Sequence, residues 1–221
     1  MEPKTILGPI HRKFLEAVNQ QKYLTKNYYW TGGTVLSEFY LHHRDSKDID
    51  LFTEDKEVYL PPIKTFIEVF GRRNNAEKIG HETFLGLESF KFYFPKQVFK
   101  VDFNYYPFPR IDKGKKWKNI EIDSLRDITA NKIHTVYMRP RYRDFIDLFF
   151  IYKKEKFSLK KIILDAKLKF DWHIDPIQLG QKFLLVLKKK DPPRMLVKFN
   201  EKEMENLFLR WAKELDKRIF E

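Results

Sequence analysis

The sequence predicts an α+β protein: a small mixed β-sheet with helices, followed by a C-terminal helical half. Three observations carry this. Residues 8–105 interleave apolar residues at helical spacing with short aromatic and β-branched runs. A loop bearing Pro107, Pro109 and Lys113-Gly114-Lys115-Lys116 interrupts the pattern. From Ser124 onward the apolar spacing is helical to the end.

The elements follow in order. Ile10, Phe14, Leu15 and Val18 predict a helix over 8–21. Asn27-Tyr28-Tyr29-Trp30-Thr31 reads as a short strand, broken by Gly32-Gly33. Thr34 suits an N-cap, and Val35, Leu36, Phe39 and Tyr40 continue a helix to about His42. After the polar turn Arg44-Asp45-Ser46-Lys47, Asp48 to Phe52 alternates polar and apolar residues, a strand with one wet face. Pro61-Pro62 opens a helix over 63–71. Phe84–Phe94 and Gln97–Tyr105 read as antiparallel strands joined at Pro95-Lys96. Helices are expected near 124–138, 141–154, 158–169, 175–189 and 201–219, punctuated by Pro140, Pro176 and Pro192-Pro193, with Ser124 able to cap the first. The domain boundary is placed at 123/124, giving domains 1–123 and 124–221.

Composition narrows the function. The 221 residues are 43% hydrophobic and 33% charged, as in globular proteins. There is no cysteine, which excludes a disulfide scaffold, a thiolate metal site and a cysteine nucleophile, and suits a cytoplasmic location. Met1-Glu2-Pro3-Lys4 does not begin a signal peptide, and no apolar run is long enough for a membrane-spanning helix, so no membrane partner is expected. The net charge of +12 is uneven: residues 1–110 carry 16 basic and 14 acidic side chains, residues 111–221 carry 27 and 17. A basic second half attracts polyanions such as nucleic acid or nucleoside triphosphates. The six histidines (His11, His42, His43, His81, His134 and His173) have no metal-ligand spacing and read as surface or capping residues. The abundant aromatics read as core, with Tyr105 and Tyr106 as possible exceptions near Asp102.

The chemistry concentrates in one ordered constellation: strand, Gly32-Gly33-Thr34, helix, turn, and Asp48-Ile49-Asp50 on a second strand. Glycines let backbone approach a phosphate, and the following helix start favours its negative charge. Residues two apart on a strand share a face, so Asp48 and Asp50 can hold divalent cations for a phosphoryl-type displacement. Hard oxygen ligands suit Mg2+ or Mn2+. Asp102, among the apolar residues of Phe99–Phe103, is the candidate third carboxylate.

These residues resemble the AbiEii/AbiGii toxin family of the polymerase-beta-like nucleotidyltransferase superfamily. Gly32-Gly33-Thr34 followed by His43-Arg44-Asp45-Ser46-Lys47-Asp48-Ile49-Asp50-Leu51-Phe52 looks like its first motif, and Lys100-Val101-Asp102 its second. Thr129-Ala130-Asn131-Lys132 resembles its third, and Arg141-Tyr142-Arg143-Asp144-Phe145-Ile146-Asp147-Leu148 its fourth, with Arg143 where the family often has lysine.

The resemblance implies a nucleotidyltransferase-type sheet and a metal-dependent transfer of a nucleotidyl group from an NTP. The implied catalytic residues are Asp48, Asp50, Asp102, Lys132 and Asp144; the implied metal ligands are Asp48, Asp50 and Asp102. Gly32, Gly33, Thr34, Ser46, Lys132, Arg141 and Arg143 would contact the nucleotide, with Asp147 supporting the helix. The implied acceptor is RNA, with a tRNA 3′ end as in MenT-type toxins as the candidate, and a cognate antitoxin as partner. A nucleotide- or RNA-binding module without turnover, and transfer to a small molecule such as an aminoglycoside, are the alternatives.

Overall fold

The computed structural model describes residues 5–54, 57–188 and 191–217. Met1–Lys4 and the expected helical positions 189, 218 and 219 lie outside these. The chain folds into two compact units. The first takes the described residues of Met1–Tyr40, Ser46–Pro109 and Lys113–Ser124; the second takes those of Leu41–Asp45, Arg110–Asp112 and Leu125–Glu221. Two short stretches of the expected first domain, 41–45 and 110–112, thus belong with the helices.

The first unit begins with α1 (Pro9–Asn19), opened by a proline that needs no donor there. A helical turn α2 (Lys22–Asn27) replaces the start of the expected strand, its last turn closed by the Asn27 side chain donating to the Tyr23 carbonyl. The strand β1 is Tyr29–Thr31. The next helix, α3 (Gly32–Val35), starts at Gly32 with Thr31 as N-cap and runs into a π-helical segment, Leu36–Leu41. Thr34 is therefore inside the first turn, not at the cap. The strand β2 (Ile49–Thr53) and helix α4 (Leu60–Arg73) follow.

Three antiparallel strands come next: β3 (Lys78–Phe84), β4 (Leu87–Phe94) and β5 (Gln97–Tyr105). The expected strand Phe84–Phe94 begins later, at Leu87: Phe84 ends β3, which was not expected, and Leu85 and Gly86 form a turn with positive φ. The expected loop through Lys113-Gly114-Lys115-Lys116 runs into a strand, β6 (Lys115–Trp117), and a further strand, β7 (Ile120–Ile122), precedes the expected domain boundary. The seven strands form one mixed sheet in the order β3-β4-β5-β2-β1-β7-β6, with β2–β5 and β1–β7 parallel.

The sheet has two unlike faces. Ile49, Leu51, Phe90, Phe92, Phe99, Val101 and Phe103 are buried on one. Phe14 of α1 packs edge-on against Phe92 and Phe99 there, and against Phe66 and Phe70 of α4. The alternate residues, Asp50, Asp102, Ser89 and Lys91 among them, point to the opposite face.

The second unit contains α5 (Leu125–Met138), α6 (Tyr142–Glu155), α7 (Leu159–Phe170), α8 (Pro176–Leu184) with a 3-10 extension Leu185–Leu187, and α9 (Glu201–Lys217). Side chains of Ser158 and Asp175 cap α7 and α8. Phe145, Phe183, Phe208 and Trp211 form its aromatic core. Segment 41–45 joins this unit through backbone bonds: Asp45 N–H to the Arg194 carbonyl and Leu196 N–H to the His43 carbonyl. Among the described residues no helix is long and apolar enough to cross a membrane.

Candidate functional site

On the polar face of the sheet, strand register aligns one residue from each of five strands: Thr31 opposite Asp50, Asp50 opposite Asp102, Asp102 opposite Ser89, and Ser89 opposite Glu82. Directly opposed residues point to the same side with Cβ atoms about 5 Å apart. Asp50 and Asp102, singled out 52 positions apart, are thus immediate neighbours. Asp102 is 7% exposed; its Oδ2 accepts from Lys100 Nζ at 2.5 Å, while its Oδ1 is buried without a hydrogen-bond partner.

Gly32 closes the end of this row. Its φ is +85°, and a Cβ there would lie 2.1 Å from Asp50 Oδ2. Both the conformation and the space require glycine. Thr31, just before it, donates to Asp123 Oδ2 at 2.6 Å; Asp123 is fully buried, and its carbonyl accepts from the Tyr40 hydroxyl. Asp123 fixes the corner between β1 and Gly32, a part that reading the sequence missed. Burial, with the nearby Asp123 charge, raises the Tyr106 hydroxyl pKa well above its ordinary value.

Asp48 stands one residue ahead of β2, so strand alternation does not set its direction as expected. Its backbone is set by Thr34, whose buried hydroxyl donates to the Asp48 carbonyl at 2.6 Å and lies 3.0 Å from Ser46 Oγ. Thr34 and Ser46 therefore shape the loop that delivers Asp48 and Asp50. Among the described residues no three His, Asp or Glu side chains gather into a ready-made metal cage.

The other expected residues build a buried charge cluster within the second unit. Lys132 Nζ lies 2.8 Å from Asp144 Oδ1 and 2.6 Å from Asp147 Oδ2. Asp147, fully buried, also accepts from Arg44 Nε at 2.6 Å, Arg44 Nη2 at 2.8 Å and His43 Nε2 at 2.8 Å. Burial would raise the carboxyl pKa of Asp147, yet Lys132, Arg44 and His43 together hold it well below the ordinary carboxylate range. The same balance, dominated by Lys132 against burial, lowers Asp144. Burial lowers His43, so its Nε2–H donates as a neutral ring. Arg141 precedes α6, its amide bound to Asp144 Oδ2 at 3.0 Å and its side chain mostly exposed. Arg143 is half-buried on the first turn.

Two expectations are corrected here. His43 and Arg44 are not a surface histidine and an exposed turn residue but buried partners of Asp147. His11 is also buried, its Nε2 2.8 Å from the Lys47 carbonyl, and His134 is half-buried, stacked against Phe170. The missed signal for Arg44 was its place in the first motif, where a buried counter-charge to the last motif's aspartate was available.

No curated protein matches the sequence. Two solved structures share the fold: JHP933 from Helicobacter pylori (TM-score 0.58, 19% identity, covering 94% of this chain and 91% of that one) and an H. pylori protein provisionally described as a nucleotidyltransferase (TM-score 0.58, 20% identity, 94% of each chain). Residues 13–219 match the family model described as nucleotidyl transferase AbiEii toxin, type IV TA system. A match running through both units, with the glycine corner and the paired aspartates in place, makes this protein a member of the AbiEii nucleotidyltransferase family.

Proposed function

We propose that the protein transfers a nucleotidyl group from an NTP to an RNA hydroxyl, a tRNA 3′ end being the favoured acceptor, with Mg2+ or Mn2+ held at Asp50 and Asp102 and assisted by Asp48. The observation that carries this reading is the cross-strand Asp50–Asp102 pair beside Gly32. The donor set supports a divalent ion: the carboxylate oxygens of the pair are hard ligands on adjacent strands, and Asp102 Oδ2 already faces a cation, the Lys100 ammonium. Magnesium is commonly held by one or two carboxylates plus substrate phosphates, so a closed protein cage is not required.

Asp50 and Asp102, with Asp48, would hold such an ion, which would supply neutralising positive charge to the phosphates. The chain's own groups do the rest. Backbone N–H groups at Gly32 and Gly33 donate to the phosphate oxygens at close approach. Asp102 receives the proton as the acceptor oxygen bonds to the α-phosphorus and the bond to the β-phosphate oxygen breaks, releasing pyrophosphate. In the second unit, Lys132, oriented by Asp144 and Asp147, is a cation for a phosphate group, with Arg141 and Arg143 as further phosphate contacts.

The basic excess after residue 110 favours a polyanionic acceptor over a cationic aminoglycoside. The family's toxin–antitoxin description supports an antitoxin partner and a cytoplasmic setting. The test is incubation with each radiolabelled NTP, Mg2+ and total tRNA. Label enters RNA with the wild-type protein and not with Asp50→Ala. Nucleotide binding by calorimetry without any product would instead identify a binding module.

A further inference from the structure

We propose that Ser89 is a positioning residue for Asp102: its hydroxyl, directly or through one water, donates to Asp102 Oδ1 and turns Oδ2 toward the bound cation. This rests on the metal-binding reading above. Ser89 and Asp102 are a directly opposed pair on β4 and β5, facing the same side of the sheet. They are 6% and 7% exposed, and Ser89 Oγ and Asp102 Oδ1 are both buried without a hydrogen-bond partner.

Two unsatisfied polar atoms of matched type, one donor and one acceptor, on opposed positions about 5 Å apart at Cβ are within reach of a direct or single-water bond. Leaving both unsatisfied is costly, so the bond is the state expected once Asp102 carries a cation. Ser89's other cross-strand neighbour, Glu82, is no competitor. It is largely exposed and its Oε1 is bound by Lys91 at 2.8 Å. Asp102 Oδ2 is held by Lys100 at 2.5 Å, so a divalent ion replaces an ammonium at that oxygen and leaves Oδ1 to Ser89. Ligating carboxylates are held by such outer hydrogen bonds, whose loss commonly weakens metal affinity 10- to 100-fold.

The test is Mn2+ titration of the full chain, following the free-ion signal by electron paramagnetic resonance. Ser89→Ala should weaken Mn2+ binding about 10-fold, leave the metal-free melting temperature unchanged or higher, and raise the metal requirement of transfer more than the KM for NTP. Ser89→Thr, which keeps the hydroxyl on a β-branched side chain, should bind as the wild type. If Ser89→Ala does not fold, Ser89→Cys, with its weak donor, should show the same loss. Wild-type Mn2+ affinity in Ser89→Ala alongside lost affinity in Asp102→Ala overturns the role of Ser89. Unchanged affinity in Asp50→Ala and Asp102→Ala as well removes the metal site itself, and the proposal with it.

Discussion

Gly32→Ala separates the demands of the glycine corner from general fold stability. An alanine at φ +85° pays the left-handed penalty of about 1–2 kcal/mol. Its Cβ would also sit 2.1 Å from Asp50 Oδ2 and 2.8 Å from Asp50 Cγ, far inside carbon contact distance. The Asp50 side chain must turn away, and an off-rotamer setting adds about 0.5–1.5 kcal/mol. The sum is about 1.5–3.5 kcal/mol, and at about 2–4 °C per kcal/mol for a chain of this size the melting temperature should fall by about 3–14 °C. Activity should fall further than stability, since a displacement of about 1 Å in a reacting group costs about 100-fold. Circular dichroism melts and labelled-NTP transfer at a temperature where both proteins are folded measure the two effects. Gly33→Ala is the control: Gly33 lies inside α3 without positive φ, so it should fold at least as stably as the wild type. A Gly32→Ala protein with wild-type melting and transfer would refute the reasoning.

Asp147→Asn should leave Arg44 and Lys132 partly uncompensated in a buried site, a loss of about 3–5 kcal/mol seen as a melting-temperature drop of about 6–20 °C; a drop under about 2 °C would mean the cluster is solvated. Thr34→Val removes the donor to the Asp48 carbonyl at nearly constant volume and should cost about 1–3 kcal/mol with a loss of transfer activity that Thr34→Ser restores. His134 stacks on Phe170 at 4.0 Å, its Nε2 buried without a partner, and burial lowers its pKa. The unfolded chain therefore takes up the proton first: stability is fully present above about pH 6.5 and is lost as pH falls below it. His134→Phe should shrink the difference in melting temperature between pH 7.5 and 5.5, leaving the share due to His43; an unchanged difference would exclude His134 from this linkage.

The parts of the fold legible in the sequence are those whose signal is local and long. The helices after Ser124 show sustained periodicity between prolines, and Ser158 and Asp175 stand at caps the structure uses. The parts that were not legible fail for stated reasons. α2 is six residues, too short to establish a period, and its aromatic surroundings imitate a strand. β3 is an edge strand largely exposed along its length, so no apolar face alternates. β6 and β7 have three residues each and are recruited by pairing with each other and with β1.

The site divides along the same line, and the division explains why Ser89 escaped notice while Asp102 did not. A two-residue turn at Pro95-Lys96 makes Phe94 the partner of Gln97 and, counting outward, Ser89 the partner of Asp102. That neighbour was therefore implicit in the expected hairpin. The Asp50–Asp102 pairing is different. Parallel strands β2 and β5 are separated by α4, β3 and β4, and no turn fixes their register. Arg44 and Asp147 are 103 positions apart and meet only because segment 41–45 leaves the sheet unit for the helices. Spacing along the chain identifies which carboxylates are available. It reveals their neighbours only where a tight turn carries the count from one strand to the next.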